Sequence, residues 1–193
     1  HGDVREERQI LADEAERSPE VFHLYLGDEP IDRGELDWLH DRRLRDLELA
    51  DLILVPSDHI ANELRKHGTP SHRIRVIPYA ADTQRFRPRD AKPHRDSCTF
   101  LFEGSAVVTY EALACGLPSV VTPAAGSVVR DGIDGFVVPP AQVEPLAQAM
   151  ERLGTDPELR QAFAVSSRQR AEQFDWKRYH RSVAEAVAVG STD

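Results

Sequence analysis

No apolar run in the sequence approaches the roughly 18 residues that a membrane-spanning helix needs, so no segment is expected to cross a bilayer. The sequence has no G-x-G-x-x-G for a dinucleotide, no G-x-S-x-G elbow around Ser57 or Ser105 for a hydrolase, and no D-x-D to hold a magnesium diphosphate. There are 8 histidines, but none form an H-x-x-x-H or H-E-x-x-H pair, so they are expected at surface and loop positions and no metal ligand is assigned. Cysteine is scarce: Cys98 and Cys115 stand in apolar settings without C-x-x-C spacing. That excludes a disulfide framework and a zinc site, and fits a reducing, cytoplasmic setting. Positive charge is also short, with 24 Lys and Arg against 33 Asp and Glu and a net charge of −9. A general nucleic-acid binder needs a basic face to displace phosphate counterions, so no nucleic-acid partner is expected. A local basic pocket for a phosphorylated small molecule remains compatible with that balance. The first residues, His1 to Arg8, are polar and charged, and are not expected to be a signal peptide.

What is present is the composition of an ordinary globular protein, 40% hydrophobic and 30% charged over 193 residues, enough for one full-sized core or two small ones. Glu6 to Arg17 has the pattern of a polar helix, and Glu35 to Ala50 spaces Leu36, Leu39, Leu44, Leu47 and Leu49 largely as a helix does. Leu52 to Val55 is a short continuous apolar run, suited to a fully buried strand of a parallel sheet. A helix from Asp58 to His67 follows, stopped by Gly68, then a strand Ile74 to Ile77 closed by Pro78. Beyond the Pro-rich, charged stretch Arg85 to Asp96 come a strand Cys98 to Phe102, a helix Ser105 to Cys115 and strands Ser119 to Thr122 and Phe136 to Val138. The chain closes with helices Val143 to Leu153, Pro157 to Gln173 and Trp176 to Val189. Strands alternating with helices in this way imply an α/β fold with a mainly parallel sheet. Ligands of such sheets bind at the carboxyl ends of the strands, here after Phe102 and Thr122.

Glu103-Gly104-Ser105 stands between an apolar strand and a helix. Gly104 removes a Cβ and allows close backbone approach, while the free N–H groups at a helix start attract anions. Glu103 and Glu111 are eight residues apart, slightly over two helical turns, so they can point along one side of one element. Carboxylates that accept from sugar hydroxyls, beside backbone donors for phosphate, are what a nucleotide sugar asks for. The plain alternative is that Glu103 caps the helix and Glu111 is a solvated surface residue.

The segment from Glu103 to Val121, with Glu111-Ala112-Leu113-Ala114-Cys115-Gly116-Leu117-Pro118 at its centre, resembles the E-x7-E segment of the family 4 glycosyltransferases. Further stretches are similar to that family in the same order. Ala50 to Ser57 matches its "aD-x-hh-x-x-S" strand, and Ile77 to Asp82 with Phe86-Arg87-Pro88 matches the approach to its interdomain linker. Val129 to Pro140 matches its "v-x-dG-x-x-G-hhvpp" hairpin, and Phe174-Asp175-Trp176 the start of its final helix. The resemblance implies a GT-B fold of two Rossmann-like domains, here incomplete. It divides the chain into part of an acceptor domain over residues 1–88, a linker over 89–97, a donor domain over 98–175 and a helix over 176–193 that crosses back. It also implies a metal-independent, retaining transfer of a hexose from a UDP- or GDP-sugar to an acceptor hydroxyl, with no cofactor. Glu103 is then the catalytic residue, meeting the transferred sugar, and Glu111 meets the ribose. Gly104, Ser105 and Gly126 lie near the donor. The acceptor, whether saccharide, lipid or small molecule, is not named by the sequence.

Several features depart from the family pattern. Between the strand ending at Phe102 and Glu103 the family has on the order of 80–100 residues, including a G-R-x-x-x-x-K-G loop whose Arg and Lys neutralise the diphosphate. Here the strand runs straight into Glu-Gly, and His1 enters the first domain after its glycine loop. The chain is therefore expected to be either portions of a longer enzyme or a shortened, non-catalytic relative that binds a nucleotide sugar or serves as an interaction domain. Ala80-Ala81 replaces the usual Gly-Val, and Ala125-Gly126-Ser127 stands where a Gly-Gly loop is common. Arg160, Arg168 and Arg170 are expected on a solvated face, with peripheral contact to an anionic membrane as the alternative. Trp176 and Tyr179 are expected to anchor the last helix on the sheet.

Overall fold

The structure, a computed structural model, describes residues 13, 16–17, 33–88, 106–125 and 128–190. The chain divides into two compact units, one of His1–Leu54 with Ile60–Arg75 and the other of Val55–His59 with Val76–Asp193. Of the expected helix Glu6 to Arg17, the described residues 13, 16 and 17 are helical. The expected strand Cys98 to Phe102 and the linker 89–97 lie outside the described residues.

In the first unit, helix α1 runs over Arg33–Leu49 with no basic residue in its last turn. The carbonyls left open there are filled from a distant part of the chain. Arg73, in a 3-10 turn over Ser71–Arg73, donates Nη2 to the carbonyls of Leu47 at 2.8 Å and Glu48 at 2.9 Å, and Nε to that of Ala50 at 2.7 Å. A cation at a helix C-terminus meets both the orphan acceptors and the negative end of the dipole. Strands β1 (Ile53–Val55) and β2 (Ile74–Val76) form a two-stranded sheet. Ile53 and Val55 are buried but Leu54 is 39% exposed, so β1 alternates instead of being buried on both faces. Its partner strand among the described residues is β2. Helix α2 (Asp58–Lys66) buries Ile60, Ala61 and Leu64 at helical spacing. It ends at Gly68, whose φ of +91° no side-chain-bearing residue adopts readily. The Gly68 N–H donates to Arg65 and the Thr69 N–H to Leu64, the paired bonds of a Schellman cap.

The second unit holds helix α3 (Ala106–Ala114), strand β3 (Ser119–Val121), a 3-10 turn Pro123–Ala125, strand β4 (Gly135–Val137) and helices α4 (Val143–Thr155), α5 (Pro157–Ala171) and α6 (Trp176–Gly190). β3 and β4 run parallel, with Ser119 opposite Gly135, Val120 opposite Phe136 and Val121 opposite Val137. Alternation sends the two sets of side chains into two cores. Val120, Phe136 and Val138 pack with Ala149 and Leu153 of α4 and Phe163 of α5. Val121 and Val137 pack on the other cluster, with Tyr110, Leu113 and Ala114 of α3 and Ala171 of α5. The pairing requires a glycine: a Cβ on Gly135 would stand 1.9 Å from the Ser119 carbonyl oxygen.

Segment Val129 to Pro140 is not a two-stranded hairpin. A tight turn, with the Gly132 N–H on the Gly135 carbonyl at 2.8 Å, feeds β4 into a parallel partnership with β3. Asp156 ends α4 and caps α5, accepting from the Leu159 N–H at 2.8 Å, with Pro157 in the first turn.

The late arginines do not form a solvated face. Arg160 Nη1 caps α4 through the carbonyls of Leu153 at 2.5 Å and Gly154 at 3.0 Å. Arg170 donates to the Val128 carbonyl and lies 4.9 Å from the ring centre of Phe174. Arg168 reaches three carbonyls of other segments. Each guanidinium is turned onto the protein because helix ends and turns leave acceptors that five fixed donors can satisfy. Tyr179 packs against Tyr79 at 6.5 Å, whereas Trp176 is 39% exposed and rests on Tyr179. Residues 76–88, placed by sequence in the first domain, belong to the second unit. Tyr79, Ala81 and Phe86 join the α3 core, and the Ala81 N–H donates to the Phe174 carbonyl at 3.1 Å.

Candidate functional site

Parallel pairing brings the carboxyl ends of β3 and β4 to one edge, the position where α/β sheets hold ligands. From β3 the chain passes Thr122 into the 3-10 turn Pro123–Ala125, and the Ala125 N–H returns to the Thr122 carbonyl at 3.1 Å. From β4 it passes Pro139 and Pro140 to Ala141, whose φ of 56° is left-handed, and then enters α4. A Cβ-bearing residue in that region costs about 1 kcal/mol.

Helix α3 supplies the candidate carboxylate. Its sequence AVVTYEALA has Glu111 as the lone charged residue. Tyr110, Leu113 and Ala114 are buried and fix one face of the helix in the core. Glu111, next along the helix, is half-buried; its carbonyl accepts from the Cys115 N–H at 3.0 Å, while its carboxylate has no hydrogen bond or ion pair with a described residue. Tyr110 is fully buried, edge-on to Tyr79 at 6.5 Å and to Phe174 at 5.7 Å. Its hydroxyl has no hydrogen-bond partner among the described residues. Burial pushes the phenol up to about 12, opposed in part by the main chain at Tyr79 and the charge of Arg170.

The far end of α3 is held firmly. Gly116 takes φ +67°, its N–H donates to Leu113 at 2.9 Å, and the Leu117 N–H donates to Ala112 at 2.9 Å. That closes the helix ahead of Pro118, the turn-shaping role the sequence suggests for Gly116. A Cβ there would meet the Ala164 carbonyl of α5 at 3.2 Å.

A second carboxylate, in the turn before β4, was not singled out by sequence. Asp134 is fully buried. Its oxygens accept from Arg130 Nε at 2.8 Å, Arg130 Nη2 at 2.7 Å, the Arg130 N–H at 3.1 Å and Ser166 Oγ at 2.7 Å, while its carbonyl accepts from the buried Ser167 Oγ at 2.9 Å. Burial alone would raise this carboxyl, but the bonds from Arg130 and Ser166 outweigh it and hold it below the ordinary carboxylate value. The signal for it was the four-residue spacing of Arg130 and Asp134 across a Gly-containing turn.

Of the site residues expected from sequence, Glu111 is placed on α3, while Glu103, Gly104, Ser105 and Gly126 lie outside the described residues. The described residues include no group of three or more His, Cys, Asp or Glu that could hold a metal ion, and no helix among them is long and apolar enough to cross a membrane.

A family model of glycosyl transferases group 1 matches residues 42–156. A D-inositol 3-phosphate glycosyltransferase of Kribbella flavida is 34% identical over 145 residues, which cover 69% of this chain and 33% of that protein. Its namesake from Streptomyces bingchenggensis is 26% identical over 176 residues, covering 76% of this chain and 39% of that protein. The chain thus spans about a third of the length of the curated relatives it matches. Among solved structures, Anabaena HepE in complex with UDP and glucose superposes with a TM-score of 0.58 at 15% identity, covering 74% of this chain and 64% of that one. That likeness bears on the fold, which is α/β of the GT-B type.

Proposed function

The chain belongs to the group 1 glycosyltransferases, and from that premise we propose that it carries the donor side of an enzyme moving a hexose from a UDP- or GDP-sugar to an acceptor hydroxyl with retention of configuration. The observation that carries the reading is Glu111, a half-buried carboxylate without a described partner on an otherwise uncharged helix. Such a group keeps its acceptor oxygens open to a ligand, and a ribose diol supplies two donors at once. Glu103 is assigned to hydroxyls of the transferred hexose, and Gly104, Ser105 and Gly126 to the surroundings of sugar and phosphates. UDP is the first nucleotide to try, since HepE holds it together with glucose. A phosphorylated polyol is the first acceptor to try, on the names of the relatives.

In the proposed reaction the bond from the sugar C1 to the diphosphate breaks and a bond from the acceptor oxygen forms on the same face. The acceptor proton passes to a phosphate oxygen of the departing diphosphate. No metal or cofactor is assigned a part, and a reducing, cytoplasmic setting belongs to the same reading. Stabilising the leaving diphosphate is the main electrostatic task of such a site.

Calorimetry of the chain and of Glu111→Ala with UDP, GDP and ADP tests this reading. The expected result is binding of one uridine or guanosine nucleotide, weakened about tenfold in the variant, the size of one or two lost hydrogen bonds. Absence of binding by all three sinks the donor site. Binding without transfer from the matching nucleotide sugar supports the rival reading of a non-catalytic binding domain.

A further inference from the structure

We infer that Arg168 is a positioning residue for Glu111, acting through the C-terminal turn of α3; the inference rests on the donor-site reading above. Arg168 lies in the last turn of α5, with its side chain 27% exposed. Its Nη1 donates to the carbonyls of Ala114 at 2.8 Å and Phe86 at 3.0 Å, and its Nη2 to that of Thr83 at 3.1 Å. Nε is paired with Glu172 at 3.0 Å, which aims the planar group at those acceptors.

The two segments it joins are themselves shaped to present acceptors. Asp82 Oδ1 accepts from the N–H groups of Gln84 at 3.0 Å and Arg85 at 3.1 Å, folding the turn whose carbonyls face the guanidinium. Ala114 is the last residue of α3, one turn beyond Glu111, and Gly116 brings that end within touch of α5. One side chain therefore ties the C-terminal turn of α3 directly to the Thr83–Phe86 turn, adding a polar anchor to the core packing of Tyr110, Leu113 and Ala114 that holds the helix in place. A helix shifted by even an ångström carries Glu111 with it, and placement on that scale decides whether a carboxylate meets a diol. For the helix alone, the Gly116 closure already satisfies other carbonyls, so the bonds to Phe86 and Thr83 serve registration between segments more than helix formation.

The test compares the full chain with Arg168→Gln, Arg168→Lys, Glu111→Ala, the Arg168→Gln/Glu111→Ala double variant, and Asp156→Ala, at the opposite end of α5 from Arg168, as a destabilised control. The measurements are nucleotide affinity by calorimetry, thermal midpoint, and amide hydrogen exchange over Ala106–Gly116. Arg168→Gln is expected to weaken nucleotide binding about fivefold, with partial recovery in Arg168→Lys, which keeps a charge but not the fork. The double variant is expected to bind no more weakly than Glu111→Ala alone, because both changes act through one contact. Exchange over Ala106–Gly116 is expected to quicken in Arg168→Gln and not in Asp156→Ala. Additive losses, or wild-type affinity in Arg168→Gln, overturn the proposal. If the unaltered chain binds no nucleotide, the donor-site reading has failed, and unchanged exchange in Arg168→Gln then overturns the positioning role separately.

Discussion

Asp134 and Glu111 are both carboxylates removed from full contact with water in the second unit, yet their surroundings are opposite. Asp134 sits in a turn that wraps it with Arg130 and Ser166, and every bond it receives comes from a neighbour in its own fold. Glu111 sits beside a buried tyrosine on an otherwise uncharged helix, and its carboxylate receives no such bond among the described residues. A fold that needs a charge inside surrounds it. A half-buried carboxylate with no partner among the described residues keeps its acceptors open, to water or to a ligand. The contrast separates structural acid from candidate binding acid without appeal to position in a motif.

The largest effect should fall on the structural side. Asp134→Ala strands Arg130 and Ser166 and should lower unfolding free energy by about 3 kcal/mol, read by urea titration. The acid side of the stability curve gives a second reading. Because the folded Asp134 carboxyl lies below its ordinary value, its contribution is complete above the unfolded value of about 3.9, and is lost as pH falls through the lower folded value. Asp134→Asn should flatten that acid-side loss in melts recorded from neutral pH downward. An unchanged curve would remove Asp134 from the comparison.

Glu111→Ala should do the reverse, with stability held within about 0.5 kcal/mol and about 1.4 kcal/mol, or tenfold, lost from nucleotide affinity. A large drop in stability instead would mean Glu111 is another Asp134. Smaller still is the effect expected at the edge of the site. Ala141→Gly relieves the left-handed backbone and should raise stability by about 1 kcal/mol, with no loss of nucleotide affinity. Smallest is Tyr110→Phe, which deletes a buried hydroxyl without a described partner. Stability should stay level or rise by about 0.5 kcal/mol, and a fall beyond that would show the hydroxyl to be bonded.

Much of the fold was legible because it is written in local signals. Asp156-Pro157 marks a helix junction, Gly68 and Gly116 mark helix ends, short apolar runs mark β1, β3 and β4, and alternation about Arg75 marks β2. What the sequence missed depends on partners far apart in the chain. Arg73 caps a helix that ends 24 residues before it, and Arg168 meets Thr83 and Ala114, which no spacing rule connects. Leu54 is exposed although the run reads as buried, because an apolar run does not tell whether both faces of its strand are covered. For the site, Glu111 was reached through the E-x7-E segment, whereas the absence of a side-chain partner among the described residues is a fact of packing that only coordinates can supply.

Asp156 belongs to two helices at once: it is the last cap of α4 and the first of α5. No chain lies between them to be closed, so their packing through Leu153 and Phe163 carries almost no loop entropy. Contacts of that kind are among the earliest a chain can make, so α4 and α5 are expected to form the folding nucleus of the second unit. The parallel β3–β4 pairing, separated by the whole Thr122 to Asp134 excursion, would come later. Leu153→Ala should then slow refolding with a φ-value of about 0.5 or more, and Val121→Ala should mainly quicken unfolding; the opposite ranking would place the nucleus in the sheet.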